Sequence, residues 1–303
     1  MPTYPTSGSV TLKTNLGDYP AYKALKDGSL NSELVSFQFA ELKTPVDGFK
    51  PMVRERAFDC GEIAIVTFLQ AKTYGKPIAL LPATLVGRFQ QNCACYNSER
   101  PVKPEELNGK RVGVGSYTTT TGVWVRGVLQ HDFGVDPAKV TWVVTGDAHL
   151  AEFKDPPNVE KTTKKLDQML LDGEIDAFVT PVLPQDPRVK PLIPDAQAAG
   201  LAWGQKHGSV QINHMVAVDT DLLAQRPDVV RELYRLLSEA RRAGGPATSP
   251  VDMMPYGDAV RPGVTLMNQY AEEQKIIPRR FSVDELLAET EKRRGMIFCS
   301  SAY

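Results

Sequence analysis

The stretch GKRVGVGSYTTTTGVWVRGVLQHDFGV, residues 109–135, reads as a strand, a hydroxyl-rich loop and a helix in succession. Arg111–Gly115 carries alternating valines, which is strand chemistry. Ser116, Tyr117 and the four threonines 118–121 follow, and a threonine is a natural helix N-cap. From Val123 the apolar residues Val123, Trp124, Val128 and Leu129 lie along one helical face, and Gly134 ends the helix. Such a junction aims unpaired N–H groups and the positive end of a helix dipole at whatever lies beyond the strand. It is a place for an anion. Neither G-x-x-x-x-G-K-[ST] nor G-x-G-x-x-G occurs here, so a carboxylate is a better match than a nucleotide phosphate. The plainer alternative is that the threonines only cap a helix.

Outward from this unit, strand and helix signals alternate, the pattern of an α/β fold with largely parallel sheets. Strands are expected at 9–15, 34–42, 77–83, 92–97, 140–146, 176–181, 189–195 and 211–219. Helices are expected at 17–28, 58–75, 162–175 and from Pro227 to about Gly244. The linker SERPVKPEELNGK (98–110) opens a second lobe, so residues 1–98 plus 211–303 are expected to form one discontinuous lobe and 99–210 an inserted one. Two crossings between lobes would make a cleft, with ligand contacts on loops at the carboxyl ends of strands.

Composition narrows the function. At 303 residues, 42% hydrophobic and 23% charged, the chain can bury two cores. Its formal net charge of −1, without long charged runs, speaks against nucleic acid or a membrane surface as partner. The start has neither the basic nor the apolar region of a secretory signal, and the four cysteines (Cys60, Cys93, Cys95, Cys299) suit neither a disulfide frame nor a zinc site. A cytoplasmic protein with reduced thiols is the expectation.

Taken in order, several segments resemble the 4,5-dihydroxyphthalate decarboxylases, built on a two-lobed type 2 periplasmic-binding-protein-like fold. They are FDCGEIAIVTFLQAKTYGKPIALLPATLVGRF (58–89), ELNGKRVGVGSYTTTTGVWVRGVLQHDFGV (106–135), INHMVAV (212–218), PYG (255–257) and EEQKIIPRRFSVDELL (272–287). The resemblance implies an α/β fold with an inter-lobe cleft and removal of a carboxylate from a dihydroxylated aromatic acid without a cofactor. The implied partner is a small aromatic carboxylate; a homo-oligomer is compatible with it. The chain departs from the family at TGDAHL (145–150) and in its row of threonines, which leaves room for a changed substrate. A solute-binding protein with the same cleft, or another lyase on this fold, is the rival.

Such a decarboxylation needs a proton donor for the ring carbon and stabilisation of the charge that develops on the ring. His214 is the candidate acid, because imidazole titrates nearest neutrality; the alternative is a hydrogen-bonded core histidine. His149, in a loop after a strand, is a second candidate. Glu62 could orient the histidine or accept a phenolic hydroxyl. Asp59, with Glu62 three residues on, also has the spacing of a capping box at a helix start. Arg88 offers a bidentate fork to a carboxylate. Arg126 is offset from the apolar helix face and reads as a structural salt bridge, and Arg54 and Arg56 as solvated. Ser116, Tyr117, Thr118, Thr119, Thr120 and Thr121 form the anion loop. Tyr19 and Phe89 would wall the ligand, with Asp147 and Thr180 as further contacts. Trp124 reads as core, Cys60 as unreactive, and no metal set is visible.

Overall fold

The computed structural model describes residues 2–244 and 254–291, so Cys299 lies outside the described residues. The chain divides into two units: Met1–Gly87, Ile212–Thr265 and Phe281–Tyr303 form the first, and Arg88–Gln211 with Leu266–Arg280 the second.

Unit 1 begins with β1 (Val10–Asn15), α1 (Lys23–Lys26), β2 (Val35–Phe39), α2 (Phe49–Glu55), β3 (Cys60–Ala64), α3 (Ile65–Thr73) and β4 (Ile78–Gly87). Unit 2 carries β5 (Ala94–Asn97), β6 (Arg111–Val114), α4 (Thr120–Phe133), β7 (Thr141–Val144), β8 (Val159–Lys161), α5 (Leu166–Asp172), β9 (Ala177–Val179), β10 (Val189–Pro191) and α6 (Ala196–His207). The chain then returns through β11 (Ile212–Asp219), α7 (Thr220–Gln225) and α8 (Pro227–Ala243). The helix α9 (Arg261–Glu273) starts in unit 1 and ends in unit 2, and α10 (Val283–Glu291) closes the described chain.

The first sheet has the order β2-β1-β3-β11-β4. β1 runs parallel to β2 and β3, while β11 is antiparallel to both β3 and β4. The last strand in sequence thus fills a gap between two early ones. Its ladder with β4 shifts register on both sides of His214 and again between Met215 and Val216, where Thr84 gives way to Leu81 across Pro82. Pro82 has no N–H to give a ladder, and bulges of this kind re-aim side chains. Past it, Thr84 N donates to Pro255 O at 3.2 Å. Valines and leucines of β1, β4, β11 and α8 form the core of this unit, each fully buried one contributing about 1.5–3 kcal/mol.

The second sheet has the order β10-β5-β9-β6-β7-β8, parallel from β9 to β8 and antiparallel at β10 and β5. β5 therefore belongs here and not to the first unit, so the expected division at residue 98 falls instead at Gly87. The hydrogen bonds of β5 to β9 and β10 decide this, and the charged linker after it is only a loop within the unit. The 58–75 segment corrects another expectation. It is a five-residue strand followed by a helix, because CGEIA is buried on both faces between β1 and β11 and cannot offer a polar helical face. Four elements escaped the sequence reading: the short β8, the short helices α2 and α7, and α6, whose AQAAGLAWGQKH has little apolar patterning.

Candidate functional site

In unit 1 the end of β1 approaches β3 so closely that only glycine fits at position 61. Its φ is +153°, and a Cβ there would stand 2.3 Å from Asn15 O. Asn15 in turn donates from Nδ2 to Pro45 O at 2.9 Å and to Glu62 O at 3.2 Å. The backbone of Glu62 is fixed by these contacts, and its side chain is fully enclosed.

Three donors converge on the Glu62 carboxylate. Tyr19 Oη donates to Oε1 at 2.7 Å, and Gly17 N donates to Oε2 at 3.1 Å. His214 Nδ1 lies 2.6 Å from Oε1. With a carboxylate as acceptor, Nδ1 carries the hydrogen, which leaves Nε2 as the nitrogen that can exchange a proton. Strand register brings the pair together: Val216 stands opposite Glu62 and His214 opposite Ala64, so the two are diagonal neighbours on one face of an antiparallel ladder. The ring of Phe49 meets the imidazole edge-on, 5.1 Å between centroids at 86°. Of the pair only the imidazole reaches the surface, with 17% of its side chain exposed against 0% for Glu62. Burial and the adjacent Glu62 charge raise the Tyr19 phenol well above the ordinary tyrosine range, so it stays a proton donor to the carboxylate. The arrangement is a histidine held in one tautomer by a buried acid, the geometry of a general acid or base with its orienter.

Asp59 is not part of this cluster. It accepts from Tyr4 Oη at 2.6 Å and from Lys13 N at 2.7 Å, tying the N-terminal arm to β1. The helix it was expected to cap does not begin there. Arg56 likewise is not solvated: it forks onto Asp219, at 2.8 and 2.7 Å, and reaches Asp221 at 2.6 Å. Cys60 is buried, its thiol pushed up to about 12 by burial, which agrees with an unreactive role.

In unit 2 the threonine segment has the expected form. Thr119 is the N-cap of α4, its Oγ1 accepting from Gly122 N at 3.3 Å, and Gly134 closes the helix with φ +69°. Ser116 Oγ and Thr118 Oγ1 lie 3.5 Å apart, and Thr120 Oγ1 is buried with no partner. Thr121 is half-buried in the first turn. Tyr117 is buried, donating to Gln274 O at 3.3 Å. Gly115 and Thr145, at the carboxyl ends of β6 and β7, line a cavity of about 630 Å³ with Lys164, Lys165, Phe178 and Leu183.

The other expected contacts are scattered over unit 2. Arg88 is half-buried, and its Nε has no partner. Phe89 packs on Trp203, 6.5 Å between centroids, and against Gly200 and Gly204. Asp147 pairs with Lys161, His149 is half-buried, and Thr180 Oγ1 donates to Val182 O at 3.0 Å. Trp124 is fully buried core.

Arg126 corrects the expectation of a salt bridge. Fully buried, it has no carboxylate partner among the described residues; Nε donates to Gln274 Oε1 at 2.7 Å and Nη2 to Tyr117 O at 2.5 Å. Sequence reasoning placed the Gly17–Tyr19 loop among the ligand contacts, and missed Gly17 and Tyr19 as hydrogen-bond donors to Glu62 and Phe49 as the ring against His214.

Among the described residues no cluster could hold a metal ion, and no helix is long and apolar enough to cross a membrane. No family model matches the chain. It is 25% identical to a 4,5-dihydroxyphthalate decarboxylase of Comamonas testosteroni, over 93% of both chains. It is 29% identical to one of Pseudomonas putida, over 64% of this chain and 81% of that one. Among solved structures, the periplasmic aliphatic sulphonate binding protein SsuA of Escherichia coli superposes with a TM-score of 0.55 at 11% identity, covering 97% of this chain and 93% of that one. The chain has the α/β fold of the type 2 periplasmic binding proteins, and in sequence it is similar to decarboxylases.

Proposed function

We propose that the protein is a cofactor-independent carboxy-lyase acting on a dihydroxylated, phthalate-type aromatic acid, with His214 as the acid and Glu62 as its orienter. The observation that carries the reading is the Glu62–His214 pair, in which one carboxylate fixes the imidazole tautomer and is itself fully satisfied. The similarity to two 4,5-dihydroxyphthalate decarboxylases supports the substrate class. A hydroxyl para to the leaving carboxyl pushes electron density onto the ring carbon that bears it. His214 Nε2 gives that carbon a proton, the carbon–carboxylate bond breaks, and its electron pair returns to the ring as CO2 leaves. The ring regains aromaticity, and solvent reprotonates the imidazole. Glu62 keeps its charge throughout and stabilises the imidazolium form electrostatically. Within unit 2, the Ser116–Thr121 segment and Arg88 are proposed to bind a carboxylate. A cytoplasmic location belongs to the same proposal, in keeping with the three free buried cysteines Cys60, Cys93 and Cys95.

The likeness to a sulphonate-binding protein favours one rival, a carboxylate receptor without chemistry. Incubation with hydroxylated phthalates separates the two. CO2 release with loss of ring absorbance, abolished by His214→Asn while binding persists, is the expected result. Binding without CO2 release would establish the receptor instead.

A further inference from the structure

The guanidinium of Arg126 is an unusual object for a protein interior. Its partners are all neutral: Gln274 Oε1, Tyr117 O, and the ring faces of Tyr117 and Trp142 at 4.1 and 5.0 Å from its central carbon. Nη1 is buried with no hydrogen-bond partner at all. Burial pulls the guanidinium down to about 10, which still leaves it charged at neutral pH. A buried charge without a counter-ion is costly unless something brings the opposite charge when it is needed.

Its position identifies what that would be. On α4, side chains slope back toward the helix start, and Arg126 follows that rule. Nη2 holds the carbonyl of Tyr117 inside the threonine loop, and Nη1 lies beside Gly122 in the first turn, 3.3 Å from where a Cβ would stand. A full positive charge therefore sits directly behind the segment where the helix dipole is already positive and where the Ser116 and Thr118 hydroxyls lie 3.5 Å apart. The unpartnered Thr120 Oγ1 is a second buried polar atom at the same turn.

We infer that Arg126 is a positioning residue whose uncompensated charge makes the Ser116–Thr121 segment an anion site for a carboxylate, acting through the loop it holds and without touching the ligand. The inference rests on the carboxylate-binding part of the proposed function and not on the decarboxylation. It gives this segment selectivity for charge: a carboxylate over its ester.

Phthalate, titrated calorimetrically into the full chain beside its neutral dimethyl ester, tests this without turnover. Arg126→Met should weaken phthalate binding about tenfold or more, leave ester binding unchanged, and be largely rescued in Arg126→Lys. Gln274→Glu keeps the guanidinium in place and gives it a carboxylate to pair with, so it should lose phthalate binding while its fold, followed by circular dichroism and melting, is retained. This second variant carries the test should Arg126→Met not fold. Wild-type phthalate affinity in folded Arg126→Met or Gln274→Glu, an equal loss for the ester, or no phthalate binding by the wild type would each overturn the inference. Arg126-dependent binding in a protein that releases no CO2 from hydroxylated phthalates would uphold it and reject the lyase.

Discussion

Glu62 Oε1 and His214 Nδ1 stand 2.6 Å apart across the diagonal of β3 and β11, residues 152 positions apart in the chain. Replacing Glu62 by Gln keeps the volume but offers His214 and Tyr19 a single neutral oxygen. Turnover of a hydroxylated phthalate should fall by about 10²–10³-fold, and the amide nitrogen, facing a donor it cannot accept from, should lower stability by about 1–3 kcal/mol. An intact rate in a folded Glu62→Gln protein would remove the carboxylate from the mechanism.

Tyr19→Phe deletes one of three donors to the same carboxylate and leaves the imidazole contact in place. Its cost to stability should be about 1 kcal/mol, and the loss of kcat should be smaller than for Glu62→Gln. Denaturant unfolding beside single-turnover rates gives both numbers; a Tyr19→Phe rate below that of Glu62→Gln would contradict this ranking.

Gly127→Ala sets helix propensity against packing. Alanine favours a helix interior by about 1 kcal/mol, yet a Cβ at 127 would meet the Tyr270 ring at 2.0 Å. That ring is held edge-on by Trp124 and stacked on His131, so it has little room to yield. Packing should win, with a net loss of about 2 kcal/mol seen as a lower melting temperature. A more stable Gly127→Ala protein would show that the α4–α9 contact gives way easily.

Arg56→Ala strips a forked partner from Asp219, which is 3% exposed and caps α7. The orphaned carboxylate should cost about 3 kcal/mol, far more than a surface ion pair. Equilibrium unfolding measures it; a change within experimental scatter would mean Asp219 is satisfied by its backbone donor alone.

Alkaline stability should track Tyr22. Burial shifts its phenol up to about 12, against a weaker opposite pull from its bond to Tyr256 and from Arg241. A raised pKa means that the folded state keeps a proton the unfolded chain releases near 10. The stabilisation is therefore complete below about pH 10 and is lost as pH rises toward about 12. In Tyr22→Phe the slope of unfolding free energy against pH over that window should be shallower than in the wild type; equal slopes would refute the assignment.

The fold class was legible because alternating strand and helix signals persist over most of the chain, and the threonine loop announced its own cap and helix. What stayed hidden was pairing at long range. CGEIA looks like the opening of the helix after it, and only β1 and β11 on its two sides make it a strand. No local pattern tells that NCACYN joins the second sheet. Arg126 was misread for a similar reason: an arginine off the apolar face of an isolated helix reads as one half of a salt bridge, and Gln274, the residue that receives it, lies 148 positions away. His214 and Glu62 could be proposed from residue type, while their contact depended on a register that is set only in the finished sheet.

That β11 lies between β3 and β4 has a consequence for biosynthesis. A nascent chain that has left the ribosome as far as residue 211 owns four of the five strands of its first sheet, with an open slot where the fifth belongs. Unit 2 can by then have all six of its own strands. The catalytic pair proposed above thus comes into being late, on a platform that must wait, partly assembled and with apolar edges bare, for a strand made after an entire second sheet.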